Sequence, residues 1–139
     1  MKVLFDTNVL LDVLLDREPF AEDALYLLAK VERSEIFGFV GATTVTTIHY
    51  LVARALGRQA AGQHVETLLS LFAIAPVNRL VLEEALRSRF HDFEDAVLHE
   101  AALHAGVKYI VTRNLTDFQQ ASIPVFSPRE LISMLQALE

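Results

Sequence analysis

Short apolar runs alternate along this chain with longer stretches whose apolar residues return every three or four positions. Lys2–Phe5, Ile36–Val40, Phe72–Ala75, Tyr109–Val111 and Pro124–Phe126 are runs of three to five residues, the length and character of buried strands. Between them the spacing predicts helices over Asn8–Leu15, Ala21–Val31, from Thr43 or Thr44 to Leu56, and over Gln59–Leu71, Leu80–Arg89 and Phe93–Ala105. A last helix starts at Pro128. Pro19 suits a first helical turn, Thr43 or Thr44 suits an N-cap, and Asp92 suits the cap of the helix that Gly106 stops. Short strands alternating with helices predict an α/β fold, a parallel sheet with helices on both faces.

Open sheets of this kind place their sites at the carboxyl ends of the strands. Asp6 follows the first run directly and Thr112 follows the run at Tyr109. Two further stretches bring acids toward the same edge. HDFEDAVLHEAA carries Asp92, Glu94 and Asp95, and VTRNLTDF carries Thr112, Asn114 and Asp117. Asp92 and Asp95 are three apart and share one side of the helix start, while Glu94 is expected to turn away. Carboxylates pressed together repel unless a cation intervenes. Mg²⁺ or Mn²⁺ suits such a set, being a hard ion that takes oxygen ligands and retains water. Each acid also has a purely structural reading: Asp6 and Asp92 as helix caps, Asp95 as a first-turn acid on a helix dipole, Asp117 in a turn.

Composition narrows the picture. The 139 residues are enough for one domain with a real core, read here as spanning 1–139. At 53% hydrophobic residues the chain is globular, and that fraction hints that a partner covers some surface. With no cysteine there is no disulfide, thiolate metal site or Cys nucleophile. No signal peptide or membrane span is visible, and a cytoplasmic location is expected. A formal net charge of −6 argues against nucleic-acid binding by bulk charge. Any such role rests on local cations, for which Arg54, Arg58 and Arg113 are candidates, or on bound metal.

The stretches VLFDTNVLLDVL, DFEDAV and YIVTRNLTDF together resemble the PIN domain family, and among its members the small VapC-like proteins. The resemblance implies an α/β/α sandwich around a parallel sheet of about five strands. It further implies a divalent-metal ribonuclease leaving 5′-phosphate and 3′-hydroxyl ends, frequent homodimers, and an antitoxin partner for members that are toxins. Carried over by position, Asp6, Asp95 and Asp117 are the metal-binding and catalytic acids. Asn8, Thr112 and Asn114 are supporting polar residues, with Asp92 able to add charge. One position departs. The family's acid in the helix after strand two falls at Thr47, within TTVTTIHYL, and no Asp or Glu stands between Glu35 and Glu66. That leaves about one unit less negative charge and weaker expected Mg²⁺ binding, unless Asp92 supplies the missing charge or Thr47, as a supporting residue, holds a metal-bound water through its hydroxyl.

Other readings remain. FDTN resembles the start of haloacid-dehalogenase phosphatases, but the acid they carry two residues later is Asn8 here. His91-Asp92 is a metal-binding pair in some phosphohydrolases, though two adjacent residues are a short signal. His99 lies one turn after Asp95, placed either to bond that acid or to pack at the sheet. A catalytically weakened fold that binds RNA or protein is the alternative from another class, favoured by Thr47 and the net charge.

Overall fold

The computed structural model describes all residues 1–139. Five parallel strands form one sheet: β1 (Lys2–Phe5), β2 (Phe37–Gly41), β3 (Ala73–Ala75), β4 (Tyr109–Val111) and β5 (Val125–Phe126), in the order β3-β2-β1-β4-β5. The helices are α1 (Thr7–Leu14), α2 (Ala21–Glu32), α3 (Ala42–Leu56), α4 (Arg58–Leu71), α5 (Arg79–Arg87), α6 (Phe93–His104) and α7 (Pro128–Ala137). A 3₁₀ turn over Leu115–Phe118 was not expected.

The central strand explains why VLF is wholly apolar. Val3, Leu4 and Phe5 are all buried, because helices cover both faces of the sheet. Successive side chains point to opposite faces. Val3 and Phe5 join the core with Val9, Leu27, Ile48 and Leu131, whereas Leu4 joins Phe39 and Ile110 against Val97 and Ala101 of α6. Each fully buried side chain of this size contributes about 1.5–3 kcal/mol relative to exposure. Close approach on the first face depends on Gly38, where an added Cβ would lie 2.7 Å from the Phe72 ring.

Most element boundaries moved by one or two residues, and one cap was misassigned. α3 begins at Ala42 with Gly41 as N-cap, so neither Thr43 nor Thr44 caps it. The Thr44 hydroxyl instead meets that of Thr7, 2.8 Å away, tying α3 to α1 just beyond Asp6. Pro19 lies ahead of the first turn of α2 rather than in it. Asp92 does cap α6, accepting the Asp95 N–H at 3.1 Å.

Candidate metal centre

The ladder that builds the sheet also builds the site. Past the last paired strand residues, the Asp6 N–H donates to the Val111 carbonyl at 3.0 Å, and the Thr112 N–H to the Phe126 carbonyl at 2.9 Å. Asp6 and Thr112 therefore leave adjacent strands side by side. The Thr112 hydroxyl donates to Asp6 Oδ2 at 2.7 Å, and the Thr7 N–H donates to Oδ1 at 2.8 Å. Asp6 is thus both the cap of α1 and a residue of the strand-exit edge. The turn carrying Asp117 is anchored to the same strand end: Thr112 Oγ accepts the Asn114 N–H at 3.0 Å, and the Asn114 carbonyl accepts the Asp117 N–H at 3.0 Å. Asp95, in the first turn of α6, completes the group.

Asp95 lies near enough to Asp6 and Asp117 for their charges to act on it. Burial pushes the Asp95 carboxyl up to about 7, reinforced by repulsion from Asp6, Asp92, Asp117 and Glu94. Burial also raises Asp6, and the bonds from Thr112 and Thr7 oppose it, while Asp117 and Glu94 push it higher. A set of oxygen donors whose charges resist one another fits a hard divalent cation. Asn8 adds a second sign, since its Oδ1 is buried without a hydrogen-bond partner. The native state retains a proton on Asp95 that the unfolded chain has lost. That contribution to stability is complete below the ordinary value of 3.8 and disappears as pH rises through about 7. In chelator, thermal melting of the wild type is expected to fall across this window. Asp95→Asn should flatten the profile, and Mn²⁺ added above pH 7 should raise the wild-type midpoint.

The family model of the PIN domain matches residues 2–116. The chain belongs to the PIN domain family. Among solved structures, FitAcB from Neisseria gonorrhoeae is 24% identical, with 91% of this chain and 98% of that chain covered and a TM-score of 0.70. A toxin–antitoxin complex from Klebsiella pneumoniae is 25% identical, with coverages of 91% and 97% and a TM-score of 0.68. The sarcin–ricin loop cleaving toxin VapC20 of Mycobacterium tuberculosis is 16% identical, with coverages of 78% and 86% and a TM-score of 0.63. No curated protein sequence matches the chain.

Several side chains in this PIN domain depart from their expected places. Thr47 is half-buried, and its hydroxyl donates to the Thr43 carbonyl at 3.1 Å, back into its own helix. Glu94 is exposed, and the effect of its charge on Asp6 and Asp95 is the smallest of those acting there. Arg113 is already paired within the fold. Its guanidinium forks onto Asp12, with Nε–Oδ2 2.6 Å and Nη2–Oδ1 3.2 Å, and stacks 3.9 Å over the Phe20 ring. Arg54 and Arg58 are exposed, Arg54 lying against Tyr50. Sequence reasoning missed Arg89, which with His91 and Asp117 lines a polar hollow of about 240 Å³. Only its position just before the acidic stretch hinted at that. His99 does not bond Asp95; it is buried, and its ring packs against Phe90.

Proposed function

We propose that this PIN domain is a divalent-metal-dependent ribonuclease that hydrolyses RNA phosphodiester bonds, and that it acts as the toxin of a toxin–antitoxin pair. The observation that carries the reading is the meeting of Asp6, Asp95 and Asp117 at the strand-exit edge, with Asp95 pushed up to about 7. The toxin role is supported by the Klebsiella neighbour, a toxin–antitoxin complex, and by VapC20, which cleaves the sarcin–ricin loop. The proposed partners are RNA, an antitoxin protein and a second copy of the chain.

Asp6, Asp95 and Asp117 would hold Mg²⁺ or Mn²⁺, with Asp92 and Glu94 adding negative field. When bound, such an ion supplies activation of water and neutralisation of phosphate charge. The chain's own residues set the geometry. Thr112 and Thr7 fix the Asp6 carboxylate. Asp92 fixes the start of α6 and so places Asp95. Arg89 and His91, beside Asp117, offer donors to the RNA backbone, where contacts position without reading sequence. Water oxygen bonds to phosphorus, the P–O3′ bond breaks, and the departing oxygen takes a proton, leaving a 5′-phosphate and a 3′-hydroxyl.

Purified protein with Mn²⁺ is expected to cut single-stranded RNA into 5′-phosphorylated products, and excess EDTA to stop the cutting. Intact RNA with Mn²⁺ present would overturn the proposal. The second reading, a non-catalytic binding module, is favoured by Thr47, whose hydroxyl is turned into its own helix. It requires that calorimetric titration with Mn²⁺ give no heat that depends on Asp6.

A further inference from the structure

A second group of ligating side chains lies on α5 and α6, away from the strand-exit edge. Glu84 on α5 and Glu100 and His104 on α6 each bring one ligand atom within 4.8 Å of the other two. Glu100 and His104 are one turn apart and so share a helix face. His104 lies nine residues beyond Asp95, about 13 Å along the helix at 1.5 Å per residue. None of the three is a candidate ligand of the edge site.

Pairing within the group accounts for some of it. His104 Nε2 meets Glu84 Oε2 at 2.9 Å. It does not account for His99. That ring is 4% exposed, and its Nε2 accepts the Ser122 N–H at 3.0 Å. A nitrogen that accepts carries no proton, so in the neutral ring the proton is on Nδ1. Burial favours that neutral ring. Nδ1 has no hydrogen-bond partner, and Glu100 Oε1 lies 3.6 Å from it. A buried donor left unpaired costs about 1–3 kcal/mol. The unpaired Nδ1 thus lies beside Glu100, a member of the group.

We propose that Glu84, Glu100 and His104 form a divalent transition-metal site of the zinc class, which ties α5 to α6. Two carboxylates and an imidazole, with room for water, match zinc's usual donors. With one Glu100 oxygen on the ion, the other turns to accept the His99 Nδ1–H, the supporting bond that ligating carboxylates ordinarily receive. The side chains of Glu84 and His104 are 39% and 31% exposed, so an ion reaches them from solvent. A nitrogen donor separates this site from the oxygen-only edge. Mixed N/O donors rank zinc above manganese, while Mg²⁺ keeps to oxygen.

The test uses the full chain, stripped of metal, on an Asp6→Asn background that weakens the edge site. Calorimetric titration with ZnCl₂ is expected to show one ion bound, and zinc to raise the melting temperature by several degrees. Adding His104→Ala should lower zinc affinity at least about tenfold and remove the rise, since each ligand contributes on that scale or more. Glu84→Gln should act likewise and serves as the second variant if the first melts early without zinc. Zinc binding unchanged by both substitutions overturns the proposal, as does the absence of zinc binding in Asp6→Asn. Neither outcome bears on Mn²⁺-dependent cleavage by the wild type.

Discussion

Asp6→Asn is expected to leave the fold intact while lowering Mn²⁺-dependent RNA cleavage by roughly a hundredfold or more, the scale on which one preorganised electrostatic group acts. The asparagine carbonyl still accepts the Thr7 N–H, and its amide faces the Thr112 hydroxyl, which rotates to accept instead of donate. Capping of α1 is therefore retained. What disappears is a charge whose burial raises its pKa, with repulsion from Asp117 and Glu94 added. Removing such a charge relieves the native state, so the melting temperature without metal should stay level or rise. Lost activity together with kept or increased stability marks a residue held for chemistry rather than for folding. Cleavage that survives the substitution, or a variant that loses both activity and fold, would contradict the assignment. Asp95→Asn should behave in the same way, because its carboxyl is pushed further, to about 7.

The parts of this molecule that could be read from its sequence are those where one local rule decides. VLF followed by Asp announced both the central strand and the edge it leads to, because alternation and strand-end logic act on neighbouring residues. Asp92 as a cap was likewise local. What escaped depended on partners distant in the chain. Thr44 looked like a cap, but Thr7 claims its hydroxyl from 37 positions away. The order β3-β2-β1-β4-β5 was also out of reach, since short strands of similar character carry no mark of which neighbours they take. Arg113 is the sharpest case. Set in a loop motif beside Asn114 it reads as a surface cation, and its true partner, Asp12, is 101 positions earlier.

That pair supports the second large effect. Asp12 is fully buried, and the bidentate grip of Arg113 is its main compensation, with Arg17 more distant at 3.9 Å. Arg113→Ala strands a carboxylate in the core and should destabilise the protein by about 3–5 kcal/mol. Asp12→Ala leaves a half-sheltered guanidinium against Phe20 and should cost less, because 24% of the Arg113 side chain still reaches water. The double variant should be more stable than the sum of the single changes implies, since it removes both charges together. Denaturant midpoints of the four proteins measure all three terms. Arg113 also links Thr112, bonded to Asp6, to Asn114, whose carbonyl holds the turn of Asp117. Weakened cleavage in Arg113→Ala should therefore accompany a lower midpoint, and Asp12→Ala should reproduce part of it. A phosphate-contacting arginine makes the opposite prediction: weaker, less salt-dependent RNA binding at an unchanged midpoint. Because the guanidinium already spends its fork on Asp12, the loss in stability should come first.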